Sequence, residues 1–204
     1  MMEFFTVAIL HLFAVASPGP DFALVTRQSL RYNRKVAIWT SLGIGVGILF
    51  HSLLAITGLV LLITSNELFS TILKIIGSLY LLYLGVRSIL GRQEEDNIEV
   101  ENKNIDKFNG FLAGLITNVT NIKAILFFVT VFSIVVGGEN NLYLVLYGAY
   151  MAFATFIWFS FISYVFTSEG FQSKFSSFLG LFEKIIGFIL ILLSLQILIY
   201  QIFI

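Results

Sequence analysis

The chain has 204 residues, 58% of them hydrophobic and only 12% charged, with a mean hydropathy of +0.94. A soluble domain averages roughly 25% charged, so a soluble globule is excluded. Twelve Lys and Arg balance twelve Asp and Glu, which leaves no net charge to attract nucleic acid. The lack of cysteine excludes a thiol redox carrier, a disulfide scaffold, an iron–sulfur site and any thiolate-bound metal.

Crossing a hydrocarbon core of about 30 Å takes roughly 20 predominantly apolar residues in a helix. Stretches nearly free of Asp, Glu, Lys and Arg supply six candidate spans. The first covers residues 4–20 and extends past Asp21. With no basic segment before it and no small-residue cleavage site after it, it is expected to be a retained helix, not a secretory signal. The second covers 36–66. The third, 68–90, spans with Lys74 and Arg87 near its ends, where long side chains snorkel to the headgroups. The fourth, 108–136, is interrupted only by Lys123, and the fifth and sixth cover 140–168 and 185–204. The expected fold is an all-α integral membrane protein forming one membrane domain over 1–204.

Basic residues set the expected orientation. Arg27, Arg31, Arg34 and Lys35 lie between spans one and two, Arg87, Arg92, Lys103 and Lys107 between three and four, and Lys174 and Lys184 between five and six. The alternate loops, 65–67 and 137–141, carry no basic residue. The positive-inside rule then puts the basic loops in the cytoplasm and both termini outside. The stretch 91–107, with Glu94, Glu95, Asp96, Glu99, Glu101 and Asp106, reads as a solvated linker. It separates a first half, about 1–90, from a second, about 108–204. Lys74-Ile75-Ile76-Gly77 in the first recurs as Lys184-Ile185-Ile186-Gly187 in the second. Three spans per half make equivalent helices antiparallel, so two inverted three-helix repeats are expected.

The first span of each half contains an interruption. In Ser17-Pro18-Gly19-Pro20-Asp21 neither proline donates an amide hydrogen and each ring opposes the helix before it, so span one must break or kink. Backbone groups freed in hydrocarbon must be satisfied by protein or a water-filled cavity. Asp21 costs on the order of 2.5 to 3.5 kcal/mol at a helix centre by insertion scales, which argues for a task beyond helix capping. In span four, Asn118-Val119-Thr120-Asn121-Ile122-Lys123 offers side-chain substitutes for helix hydrogen bonds. An inverted repeat brings the interruptions of helices one and four together, where Asp21 and Lys123 are candidate partners.

The segments Ser17–Phe22, Gly43-x-Gly45-x-Gly47 and Asn118-x-x-Asn121-x-Lys123-Ala124 resemble the LysE/RhtB family of bacterial amino-acid exporters over nearly the whole chain. The stretch Val131-Phe132-Ser133 followed by Gly137-Gly138-Glu139-Asn140 is similar to its threonine and homoserine efflux branch. One position departs from the family: Ile122 stands where a proline is usual, which predicts a milder break in span four. The resemblance implies an exporter in the bacterial plasma membrane, with an amino acid, protons and the lipid bilayer as partners and no cofactor.

An amino acid presents an ammonium and a carboxylate a few ångströms apart. The expected substrate site is therefore Pro18, Gly19, Pro20, Asp21, Asn118, Asn121 and Lys123. In it Asp21 takes the ammonium, Lys123 and helix N-terminal amides take the carboxylate, and the two Asn add neutral hydrogen bonds. No substrate bond changes, so no enzyme is expected. Without a Gly-x-x-x-x-Gly-Lys-Ser/Thr loop, direct drive by ATP is not expected. One charge crossing 100 mV is worth about 2.3 kcal/mol, roughly fifty-fold accumulation, so proton antiport suffices, with Asp21 and His51 as candidate proton carriers. His11, among apolar residues of span one, reads as an ordinary interior histidine. Gly43 and Gly47, like Gly110 and Gly114, read as close-packing pairs, with homodimerisation through a glycine face an open option. Tyr80, Tyr83, Tyr143, Tyr147 and Tyr200 read as interfacial anchors. Competing readings are an exporter of another solute or a metal ion on the same scaffold, for which two isolated His are a poor ligand set, and a non-transporting scaffold subunit.

Overall fold

The structure is a computed structural model that describes residues 2–59, 67–90, 106–135, 141–168 and 171–203. Residues 91–105 of the expected linker and most of the loops 65–67 and 137–141 lie outside the described residues. All the regular structure described is helical, in chain order: α1 (Met2–Ala16), α2 (Pro20–Arg31), α3 (Arg34–Leu54, continuing into a π-helical turn at Ala55–Leu59), α4 (Glu67–Leu90), α5 (Lys107–Val119), α6 (Ile122–Val135), α7 (Asn141–Phe166) and α8 (Phe171–Phe203).

Local chemistry sets the boundaries. Pro20 opens α2 at the position where a missing amide hydrogen costs nothing. The Asn33 side chain caps α3 by accepting from the Val36 amide at 3.0 Å, and Asp106 caps α5 by accepting from the Lys107 amide at 2.7 Å. Four stretches are long and apolar enough to cross a membrane singly: Arg34–Gly58, Glu67–Leu90, Leu142–Phe166 and Lys184–Gln201. Two further pairs qualify as bent units, Phe4–Ala16 with Pro20–Arg31 at 53° and Lys107–Val119 with Ile122–Phe132 at 55°. The chain is thus a multi-pass membrane protein with four to six candidate spans among the described residues, the larger number holding if each bent pair crosses once.

Glycines let the helices approach. A Cβ on Gly43 would stand 2.0 Å from the Phe111 carbonyl oxygen, and one on Gly114 would stand 2.1 Å from that of Thr40, so α3 and α5 touch backbone to backbone. Gly85 and Gly187 do the same for α4 and α8. The main core joins Val7 and Leu10 of α1 to Leu81 of α4, Phe128 and Phe132 of α6, Met151 of α7 and Leu190 of α8. A smaller cluster, Phe22, Val25, Ile44, Phe159 and Ile162, fixes α2 against α3 and α7. Much of the surface exposed along the apolar helices is itself apolar, with Phe153 66% and Leu53 60% accessible, as suits a lipid-facing exterior. Tyr147 does not join that exterior: it is buried against the Phe4 ring, so it is a core residue and not an interfacial anchor.

Candidate functional site

Both interruptions are real breaks, and they face each other. The first lies between Ala16 and Pro20, and the second is the turn at Thr120 and Asn121. There the Asn121 amide donates to the Asn118 carbonyl at 3.0 Å. The Asn121 side chain accepts from the Lys123 amide at 3.0 Å, acting as the cap of α6. This cap explains why Ile122 does not soften the bend. Ile122 is the first residue of α6, where the amide has no intrahelical acceptor whatever the residue, and the 55° angle matches the 53° at the proline-rich break. The milder break expected from the missing proline is therefore corrected.

The polar side chains of one break satisfy the other. Asp21, in the first turn of α2, is favoured there by the positive end of the helix dipole. Its Oδ2 accepts from Asn118 Nδ2 at 2.9 Å and Asn121 Nδ2 at 3.0 Å. Its Oδ1 is buried and has no partner among the described residues. Lys123 reaches back across the gap and donates to the Ser17 carbonyl and, at 3.5 Å, to that of Pro18. Those carbonyls follow the C-terminal end of α1, where a cation is favourable. Asp21 and Lys123 thus share the site, but the lysine spends its hydrogen bonds on the broken backbone and not on the carboxylate. Gly19 passes close enough that a Cβ there would stand 3.2 Å from Lys123 Cδ.

Between the breaks lies a cavity of about 40 Å³ lined by Ser17, Gly19, Asp21, Asn118, Asn121 and Lys123 on its polar side. Ala14, Ile48, Phe127, Phe128 and Phe159 line its apolar side. His51 stands behind this wall. It is buried, stacked on Phe128 at 5.6 Å, and its Nε2 donates to the Asn118 carbonyl at 3.0 Å. A carbonyl only accepts, so this nitrogen carries the proton. Gly47 makes room for the same asparagine, since a Cβ there would stand 2.5 Å from Asn118 Oδ1. Sequence reasoning took His11 for an ordinary interior histidine and did not consider Thr155: both line the apolar side of the cavity and are joined at 2.9 Å.

Two broken helices that meet at a buried cavity with a polar side are the arrangement in which many membrane transporters hold their substrate. The chain belongs to the LysE-type translocator family, whose model, described as LysE type translocator, matches residues 12–201. Among relatives, the threonine efflux protein of Salmonella typhimurium is 38% identical over 140 residues, 67% of this chain and 68% of that one. The threonine efflux protein of Escherichia coli K12 is 35% identical over the same shares. An uncharacterized membrane protein of Bacillus subtilis is 30% identical over 187 residues, 87% of this chain and 89% of its own. No solved structure matches the chain at a significant level.

Proposed function

We propose that the protein is a secondary active exporter of small amino acids of the threonine and homoserine kind, moving them out of the cytoplasm by proton antiport. The observation that carries this reading is the Asp21 carboxylate, held on one oxygen by two asparagine amides while the other is buried at the cavity without a partner among the described residues. A substrate ammonium supplies the missing donors. The carboxylate of the same substrate competes for Lys123 with the Ser17 and Pro18 carbonyls, and the first amides of α2 and α6 add to its binding. The relatives named threonine efflux proteins support the amino-acid class.

On this reading each bent pair is one span, and six spans form two inverted repeats, about 1–90 and 108–204, with both termini outside. The similar bends of the first helix in each half support that arrangement. The cavity supports alternating access: its accessible space of about 40 Å³ is well below the roughly 300 Å³ or more of small-molecule pockets, so on this reading the two breaks separate to admit substrate. Opening frees Asp21 to take a proton on one side and give it up on the other, and His51 contributes by holding the Asn118 carbonyl.

The test is threonine efflux from cells loaded with a threonine-releasing dipeptide, for wild type, Asp21→Asn and Lys123→Ala at matched membrane abundance, with and without a proton uncoupler. The reading expects wild type to lower internal threonine and both variants and the uncoupler to prevent this. Normal export by Asp21→Asn removes the site assignment, and export indifferent to the uncoupler removes proton coupling.

A further inference from the structure

The apolar side of the cavity holds one polar pair that the exporter mechanism leaves unused. His11 is 1% exposed, and six residues separate it from Ser17, about 9 Å along the helix. Its Nε2 lies 2.9 Å from Thr155 Oγ1 on α7, while its Nδ1 is buried with no partner among the described residues. Thr155 is equally buried, and its hydroxyl has no other acceptor among the described residues. A buried hydroxyl left without an acceptor costs about 1 to 3 kcal/mol, so Thr155 donates and Nε2 accepts. A neutral imidazole that accepts at Nε2 carries its proton on Nδ1. The Nδ1–H is then an unfilled donor on a residue lining the substrate cavity, among Ala14, Phe127 and Phe159.

From this we infer that His11, oriented by Thr155, is the subsite for the substrate side chain and selects amino acids whose side chain ends in a hydroxyl. The inference rests on the exporter reading and deepens it: Asp21 holds the α-ammonium at the breaks, and the Nδ1–H donates to a side-chain oxygen of the substrate at the other side of the cavity. Threonine and valine separate the two ideas, because they differ by one hydroxyl in place of one methyl. A purely apolar pocket discriminates weakly between such isosteres, whereas a pocket with a buried donor rejects the analogue that leaves it unpaired.

The experiment loads proteoliposomes containing the full-length protein with equal threonine and valine, imposes a proton gradient and measures both efflux rates. Wild type is expected to favour threonine at least about tenfold. His11→Gln keeps an amide near the Nε2 position, facing Thr155, but has no donor at Nδ1, and is expected to bring the ratio near one. His11→Asn places its amide near the Nδ1 position and is expected to restore much of the preference. Equal export of both by wild type, or an unchanged ratio in His11→Gln, overturns the subsite. Export of neither amino acid by properly inserted wild type overturns the exporter reading instead.

Discussion

Replacing Gly47 by alanine tests how finely the site is held, without removing any group proposed to touch substrate. The new Cβ would lie 2.5 Å from Asn118 Oδ1, 2.9 Å from its Cβ and 3.0 Å from its Cγ, against an ordinary contact of 3.4 Å or more. Relief requires the asparagine amide to retreat by about 0.9 Å, the difference between 2.5 and 3.4 Å. The Asn118 to Asp21 bond, 2.9 Å long, cannot survive such a shift unless the carboxylate follows. A hydrogen bond to a charged group is worth about 1.5 to 3 kcal/mol, so the apparent affinity for exported amino acid should fall roughly 10- to 150-fold. Gly58→Ala is the matched control: among the described residues no neighbouring atom lies within 4 Å of its Cβ position. Concentration-dependent efflux at equal membrane abundance is the assay. Wild-type affinity in a well-inserted Gly47→Ala protein would refute the claim that Asn118 positions Asp21 for binding.

Asp21→Asn keeps an oxygen for both asparagine amides but removes the charge, so export should drop at least about 100-fold while the protein stays folded in detergent. Lys123→Met leaves the Ser17 and Pro18 carbonyls without this donor, at about 1 to 3 kcal/mol each, and should lower the unfolding temperature of the solubilised protein as well as abolish export. Gly114→Ala drives a methyl to within 2.1 Å of the Thr40 carbonyl oxygen and should cost about 1 to 3 kcal/mol or more by forcing α3 and α5 apart, which a thermal melt would register. Ile122→Pro should leave export unchanged and stabilise the protein by up to about 1 kcal/mol, since the ring suits the first position of α6; a loss of function there would mean that the Ile122 amide has a task.

The apolar helices and the two breaks were legible because they follow from composition and from rules local to a few residues. Long apolar runs must be helical in lipid, and Pro18 and Pro20 end a helix in any surroundings. Where Lys123 would point was not legible. Its long side chain reaches several acceptors, and the choice of the Ser17 and Pro18 carbonyls over Asp21 depends on how α1 and α6 cross. Reading Ile122 as a weaker break failed for another reason: the missing proline was weighed, but the capping power of Asn121 one residue earlier was not. Tyr147 was misplaced because an aromatic between apolar residues carries the same signal whether it faces headgroups or Phe4. His11 was read as an ordinary interior histidine because a lone histidine in an apolar run carries no further signal. Its partner Thr155 lies 144 residues away, and only the packing of α1 on α7 joins them.

The reciprocity of the two breaks bears on how a small membrane protein can both hold this site together and open it. Interrupting a helix in hydrocarbon strands carbonyls and amides that cost several kcal/mol each if left bare. Here the α6 lysine covers carbonyls of the α1 break, while asparagines flanking the α5–α6 turn hold the α2 carboxylate. Each break therefore serves as the other's solvent. Separating them exposes both sets of groups together, and that is tolerable only if water or a zwitterionic substrate takes their place. An ammonium for Asp21 and a carboxylate for Lys123 supply opposite charges in the same order. On the proposed reading, substrate binding and conformational change are thus one exchange of partners, and a solute carrying a single sign of charge satisfies only half of it.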